Sequence, residues 1–138
     1  MNDRPAGAPS PAAIVLGHGS LAEGLVSAVE RISGRGARLL ALSNEGLSGA
    51  DLLARLREAL DATGAKVVFT DLPAGSCNTA ALRAVHERDG AVLVMGANLP
   101  ALLHFAMHDE LSAADAARAA AAKGAAALRA YPDPARAG

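Results

Sequence analysis

This sequence contains few aromatic residues and one cysteine, and neither sign of charge is in strong excess. Among its 138 residues there are one Tyr, two Phe and no Trp, although 51% are hydrophobic. The core must therefore be built from Ala, Val, Leu and Ile. A formal net charge of −1 and the lack of a Lys/Arg run give no electrostatic basis for binding nucleic acid. The single cysteine, Cys77, excludes an internal disulfide and is typical of a reducing compartment.

Long hydrophobic runs and targeting signals are also missing. The continuous apolar segments are much too short to span a bilayer. Residues 1–11 are rich in Pro, Gly and Ala but contain no apolar h-region, so they do not form a signal peptide. We therefore predict a cytoplasmic protein with a disordered leader at 1–11, one domain at 12–131 and a flexible tail at 132–138. A domain of this length can bury a single sizeable core.

Strand-like and helix-like patterns alternate along the predicted domain. Four short, mainly apolar runs bounded by turn residues predict β-strands. The segments between them carry hydrophobic residues at helical spacing. This alternation predicts βαβ units and an α/β fold, in which a mostly parallel, doubly wound sheet of about four strands is flanked by helices. The predicted strands are 12–16, 38–42, 66–70 and 91–95.

Polar residues mark the predicted ends of several helices. Ser20, followed three residues later by Glu23, has the pattern of a capping box at the start of the first helix. Asn98, with Pro100 in the first turn, predicts the start of the fourth helix. An Ala-rich last helix is predicted to end before Pro132.

Three unusual loops follow predicted strands, and the fold class brings them together. They are Gly17-His18-Gly19, 71–78 and 96–100. Right-handed crossovers place such loops at one edge of a parallel sheet, where ligands usually bind. His18 lies between two glycines and is therefore accessible to a cleft. Its neutral imidazole can act as a base, a nucleophile or a metal ligand.

Asp71 directly follows the third predicted strand and is the best candidate to hold one nitrogen of His18. Such a contact fixes the tautomer and the orientation of an imidazole. Gly75 and Ser76 precede the next helix and offer main-chain N–H groups and a hydroxyl, which suit an anion. These residues predict a phosphohistidine site, with His18 as nucleophile, Asp71 as its orienting acid, and Gly19, Gly75 and Ser76 around the phosphate.

Structural interpretations compete with some of these roles. Ser76 could be a simple helix N-cap. Cys77 is interpreted as a buried, unreactive thiol rather than a nucleophile. Asn98 is interpreted first as a helix cap and second as a site or partner contact. His104 and His108 have a metal-binding spacing but no third ligand, so solvated surface histidines are favoured and no metal is predicted.

The three loops, in this order and spacing, resemble the mannose-family enzyme IIA component of the bacterial phosphoenolpyruvate-dependent sugar phosphotransferase system. Members of that family have a strand with a Thr/Gly-His-Gly turn, a strand followed by Asp and a Gly-Gly-Ser/Thr loop, and a Gly-x-Asn-Leu/Ile-Pro turn. The matching stretches here are 14–19, 67–76 and 96–100. The chain departs from the pattern at Ala74, where a second glycine is usual, and at Cys77, where Pro is frequent.

The resemblance implies a phosphotransferase with a phosphohistidine intermediate and no cofactor. His18 would accept a phosphoryl group from the histidine phosphocarrier protein and pass it to a IIB component for sugar uptake. Asp71 would hydrogen-bond the imidazole, and Ser76 would help to hold the phosphate. The resemblance further implies a homodimer whose sheet is extended by a swapped strand, and which reaches the membrane only indirectly through a permease complex.

Three other functions stay open at this point. The same phosphorylatable domain could be a regulatory module that reports phosphorylation state without a cognate permease. The phosphocarrier subunit of a dihydroxyacetone kinase resembles the first motif, although Ser often replaces the glycines around its His. A small hydrolase that uses Cys77 or His18 would instead turn over a substrate without a protein phosphodonor.

Overall fold

Four parallel strands form one sheet, which has helices on both of its faces. The computed structural model describes residues 10–133. The strand order is β2-β1-β3-β4, and all three pairings are parallel. The predicted α/β class, with a doubly wound sheet of about four strands, is confirmed, and each strand begins one residue later than predicted. The strands are β1 (Ala13–Gly17), β2 (Leu39–Ser43), β3 (Val67–Thr70) and β4 (Val92–Met95).

Five α-helices lie in the described part of the chain. A 3-10 turn at Gly36–Arg38 precedes β2. The third helix starts inside the loop predicted at 71–78, so the prediction that this loop extends through Asn78 is wrong. None of the helices within residues 10–133 has the length and apolar character needed to cross a membrane. The helices are α1 (Leu21–Ser33), α2 (Gly49–Thr63), α3 (Ser76–His86), α4 (Leu99–Met107) and α5 (Ala113–Ala127).

Two predicted helix caps have different outcomes. Asn98 caps α4 as predicted, because its side-chain oxygen accepts a hydrogen bond from the main-chain N–H of Ala101 at 3.1 Å. Ser20 precedes α1 but makes no side-chain cap hydrogen bond, so the predicted capping box with Glu23 is wrong. The reason is conformational: Ser20 has φ −94° and ψ 8°, whereas an N-cap side chain reaches the first turn from an extended backbone.

The ends of the chain and its oligomeric state stay predictions. Most of the leader predicted at 1–11 and of the tail predicted at 132–138 lies outside the described residues, 10–133. The predicted homodimer with a swapped strand involves two chains. Sedimentation at several protein concentrations would test whether the protein forms a dimer.

Alternate residues of β1 contribute to two separate cores. Ala13 and Val15 pack with residues of α1, α4 and α5, whereas Ile14 and Leu16 pack with residues of α2 and α3. Successive side chains of a strand point to opposite faces, so a strand that is covered on both faces must be apolar throughout. This explains why β1 is a continuous apolar run and why it can hold the residues that follow it rigidly.

Helices α4 and α5 pack closely because α5 presents small residues to α4. The carbonyl of Gly124 in α5 accepts a hydrogen bond from Asn98 Nδ2 at 2.9 Å. A Cβ atom at Gly124 would lie 2.7 Å from Asn98 Oδ1 and 2.8 Å from Ala101 Cβ, which is too close for either contact. Gly124 is therefore required for space, and the packing that it permits ties α5 to the start of α4.

We predict that Gly124→Ala lowers the free energy of unfolding by about 1–3 kcal/mol, because overpacking outweighs the better helix propensity of alanine. Gly24 in α1 is a matched control, since it is also helical and nothing lies within 4 Å of a Cβ added there. Gly24→Ala should raise the free energy of unfolding by about 0.5–1 kcal/mol. Urea unfolding at one protein concentration measures both, and effects of the same sign would contradict the packing argument.

Candidate functional site

The three loops that follow β1, β3 and β4 meet at the carboxyl edge of the sheet. β1 and β3 are neighbours, and Leu16 is in register with Thr70. His18 and Asp71, which come just after these strands, therefore leave the sheet side by side. The third loop is held to the end of β3 by a hydrogen bond from the main-chain N–H of Ala97 to the Thr70 carbonyl, at 2.8 Å.

His18 and Asp71 contact each other at two points. Asp71 Oδ2 accepts a hydrogen bond from the main-chain N–H of His18 at 2.9 Å, and the same oxygen lies 2.9 Å from Nδ1 of the ring. The second carboxylate oxygen, Oδ1, lies 3.1 Å from Nδ1. The side chain of Asp71 is only 8% exposed, whereas that of His18 is 42% exposed. The carboxylate thus forms the floor of the site, and the imidazole reaches solvent.

The charge on Asp71 determines which ring nitrogen of His18 is available. Burial raises the pKa of Asp71, but the hydrogen bonds from the main chain and the ring of His18, together with the charge of the ring, leave it below its ordinary value. An ionised carboxylate can only accept hydrogen bonds. Nδ1 must therefore carry a proton, and in the neutral imidazole the lone pair lies on Nε2. The arrangement can supply a base or a nucleophile at Nε2.

Asn44 is a neighbour of this site that sequence reasoning missed. It lies in the loop after β2, where the sequence shows only a polar stretch. Its side-chain Oδ1 accepts a hydrogen bond from the main-chain N–H of Gly19 at 3.3 Å, and its own N–H donates to the carbonyl of Gly17 at 3.1 Å. The N–H of Gly19, which was predicted to bind phosphate, is thus paired with Asn44 in this structure.

Gly75 and Ser76 form the N-terminal end of α3. Gly75 occupies the N-cap position with φ +93°, a region that favours glycine. Ser76 is the first helical residue, so its interpretation as the N-cap is wrong. Its side chain is exposed, and its hydroxyl forms no hydrogen bond with any residue in 10–133. Because the first N–H groups of a helix have no partner within it, this end of α3 can bind an anion.

A buried polar pair supports the loop between β3 and α3. Asn78 Oδ1 accepts a hydrogen bond from Thr70 Oγ1 at 3.1 Å, and Asn78 Nδ2 donates to the carbonyl of Pro73 at 3.3 Å. Both side chains are buried. Sequence reasoning missed this pair, because it assigned Thr70 to the strand and Asn78 to the loop without connecting them. The pair fixes the loop that carries Asp71.

Cys77 lies behind His18 and Asp71 and is buried, as expected from the sequence. Burial, and then the charge of Asp71, raise the pKa of its thiol. A thiol in this state is protonated at neutral pH and is a poor nucleophile. This argues against a hydrolase that uses Cys77 for attack.

None of the remaining predicted residues forms a hydrogen bond with His18 or Asp71. Both ends of the Asn98 amide are used, one in the cap of α4 and the other on the carbonyl of Gly124, so a role in partner contact stays a prediction. The rings of His104 and His108 stack with centroids 4.1 Å apart near the C-terminal end of α4. His108 Nδ1 lies 2.7 Å from Glu110 Oε1, and burial and the charge of His108 lower the pKa of His104.

The family model described as "PTS system fructose IIA component" (EIIA-man) matches residues 12–122. A mannose/sorbose-specific IIA subunit from Enterococcus faecalis has a similar structure, with a TM-score of 0.75, 22% identity, and coverage of 91% of this chain and 97% of that one. So does a PTS IIA protein associated with the fucose utilization operon of Streptococcus pneumoniae, with a TM-score of 0.68, 23% identity, and coverage of 82% and 90%. These identities support a shared fold. The search of curated proteins gave no match.

We predict that Asp71→Asn lowers the free energy of unfolding by about 1–2 kcal/mol at neutral pH, because it removes a charge-assisted hydrogen bond. The pKa of Asp71 is lowered in the folded state. The stability that its charge contributes is therefore fully present above the ordinary aspartate pKa of about 3.9, and is lost as the pH falls through the lower folded value.

Urea unfolding of the wild type and Asp71→Asn, repeated from neutral pH down to about pH 3, measures this effect. The difference between the two proteins should shrink at the acid end. Asp89→Asn, which removes an exposed carboxylate elsewhere, reports the general effect of losing one charge. A difference that stays constant with pH would show that the charge of Asp71 is not responsible.

Proposed function

The chain belongs to the family of the PTS fructose IIA component, and from this membership we propose that it relays a phosphoryl group through His18. In the proposed relay, His18 accepts the group from the histidine phosphocarrier protein and passes it to a IIB component for sugar uptake. The observation that carries the proposal is the contact between His18 Nδ1 and the Asp71 carboxylate at 2.9 Å, which leaves Nε2 as the nucleophilic nitrogen.

The transfer proposed here is a displacement at phosphorus. The lone pair of His18 Nε2 attacks the phosphoryl group of the donor phosphohistidine, the new N–P bond forms, and the N–P bond of the donor breaks. The ring of His18 becomes positively charged, because Nδ1 keeps its proton. The carboxylate of Asp71 already lies against that proton and stabilises the charge without reorganisation. Attack by the IIB component on the same phosphorus then reverses the sequence and restores the neutral ring.

The N-terminal end of α3 is proposed to hold the phosphoryl oxygens. Its first-turn N–H groups and the exposed hydroxyl of Ser76 lie on the chain directly after the Asp71 loop. A helix N-terminus attracts an anion through these N–H groups and the helix dipole. Gly75, with no side chain, lets an anion approach the main chain closely, and the N–H of Gly19 could join once Asn44 releases it.

Exposed apolar side chains around the site are proposed to contact the partner proteins. Leu21 follows the His18 loop, Leu72 follows Asp71, and Met95 ends β4, and each is about half exposed. Apolar residues that surround a reactive group at the surface are typical of a protein–protein contact. A relay between two proteins would take place in the cytoplasm, with the permease complex as the only connection to the membrane.

We predict that incubation with phosphoenolpyruvate, enzyme I and the histidine phosphocarrier protein adds one acid-labile phosphoryl group to the chain, detected by intact mass. His18→Ala should abolish the addition, whereas His86→Ala, which removes an exposed histidine at the end of α3, should leave it in place. Phosphorus NMR should assign the group to Nε2, because Nδ1 is held by Asp71. A wild type that gains no phosphoryl group would contradict the proposed function. A phosphoryl group on Nδ1 would contradict the proposed role of Asp71 in orienting the ring.

We further predict that Asp71→Ala slows this transfer about 10–100-fold, the effect expected for loss of a group that fixes a histidine tautomer. Ser76→Ala should slow it about 2–10-fold, because its exposed hydroxyl contributes one hydrogen bond that solvent can partly replace. Rapid-quench measurement of labelling gives both rates, and circular dichroism checks that the fold is intact. Wild-type kinetics in either variant would remove that residue from the site.

A further inference from the structure

Three potential metal ligands of different chemistry meet at the floor of the site. A ring nitrogen of His18, a carboxylate oxygen of Asp71 and Sγ of Cys77 all lie within 4.8 Å of one another. Within residues 10–133 this is the one set of three His, Cys, Asp or Glu side chains with such a spacing. The cluster is closed on the side of Cys77, which is 1% exposed, and open on the side of the imidazole.

We propose that His18, Asp71 and Cys77 form a binding site for a divalent cation of borderline-soft character, for which Zn²⁺ is the test ion. Imidazole nitrogen, carboxylate oxygen and thiolate sulfur are the donors that Zn²⁺ uses in proteins. Three protein ligands with a fourth, solvent-facing position are typical of zinc sites that are not purely structural. The carboxylate and the thiolate together balance the two positive charges of the ion. Mg²⁺ and Ca²⁺ prefer oxygen ligands and would not be held by the thiolate.

The geometry needs only a small adjustment. Bonds of about 2.0–2.3 Å to one ion require the three donor atoms to lie about 3–4 Å apart. His18 Nδ1 and Asp71 Oδ2, at 2.9 Å, are already close to this separation. The side chain of Cys77 forms no hydrogen bond with any residue in the described range, so rotation about its Cα–Cβ bond, which moves Sγ, is not opposed by a polar partner.

Occupation of this site would switch off the nucleophile. Binding replaces the thiol proton of Cys77, which is released to solvent, and displaces the proton on His18 Nδ1, which moves to Nε2. No atom is oxidised or reduced. Nε2 then carries a hydrogen and no longer has a lone pair, so it cannot attack phosphorus. The metal-loaded chain cannot accept a phosphoryl group; this consequence rests on the proposed function, whereas the binding of the ion does not.

Cobalt titration tests the binding site without any phosphoryl chemistry. Co²⁺ uses the same ligand types as Zn²⁺, and a cobalt–thiolate bond gives a charge-transfer absorption band. The wild type should develop this band up to one equivalent of Co²⁺ and lose it when Zn²⁺ is added. Cys77→Ser should lose the band, and His18→Ala should weaken Co²⁺ binding about tenfold or more. No band in the wild type, or an unchanged band in Cys77→Ser, would overturn the site.

The stacked histidines of α4 provide the control for binding elsewhere. The imidazoles of His104 and His108 lie close together, with ring centroids 4.1 Å apart, and offer a second place where a metal ion could bind. A double variant with His104→Ala and His108→Ala should keep the cobalt band and its one-equivalent endpoint. Loss of the band in this variant would show that thiolate coordination depends on these two histidines, and would overturn the proposal.

A labelling experiment tests the switch separately. The labelling rate of each protein is measured with and without Zn²⁺ at a concentration that saturates the cobalt-competition curve. In the wild type, the rate with Zn²⁺ should be about tenfold or more lower than the rate without it. In Cys77→Ser the two rates should be nearly equal, whatever the rate without Zn²⁺ is. A wild type that is labelled equally well with Zn²⁺ overturns the switch. A wild type that is never labelled overturns the proposed function, and the cobalt band still decides whether the metal site exists.

Discussion

The carboxylate of Asp71 controls both the path of the loop that carries His18 and the orientation of its ring. One oxygen, Oδ2, accepts from the main-chain N–H and lies against Nδ1, both at 2.9 Å. The carboxylate is largely buried, so its charge is stabilised mainly by these two donors. The two residues therefore depend on each other. The Asp71 carboxylate fixes the ring of His18, and the His18 loop supplies the hydrogen bonds that keep the carboxylate ionised.

The sheet supplies the precision that this contact requires. β1 and β3 are neighbours, and β1 is covered by helices on both faces. The residues that follow the two strands, His18 and Asp71, are therefore placed within hydrogen-bonding distance of each other. The Thr70–Asn78 pair and the bond from Ala97 N–H to the Thr70 carbonyl then anchor the neighbouring loops to the same strand end. These hydrogen bonds connect the loops of the site to the sheet, whose regular elements position side chains more precisely than loops alone do.

Sequence patterns were sufficient for the architecture and for the central pair, because both follow from local periodicity and from the handedness of βαβ units. They were insufficient where a conformation depends on distant residues. Ser20 lies inside a turn closed by a hydrogen bond from the Leu21 N–H to the His18 carbonyl and is not extended, so a matching Ser and Glu23 did not produce a capping box. All four strands begin one residue later than predicted, because pairing with neighbours, rather than composition, determines where a ladder starts. The proximity of Cys77 to His18 follows from the placement of α3, which no local pattern describes.

The bond from Asn98 to the carbonyl of Gly124 joins residues 26 positions apart and fixes the start of α4 to the last turn of α5. Because the chain is synthesised from its N-terminus, this bond can form only after Gly124 has been made. A nascent chain that has emerged only as far as α4 already contains His18, Asp71 and all four strands, yet it lacks the Gly124 carbonyl that pairs with Asn98 Nδ2 and has no cover for the α4 face that α5 buries. The edge of the site next to β4 therefore takes its final form only after α5 has left the ribosome, and a chain truncated before Gly124 would carry the reactive pair on an incomplete support.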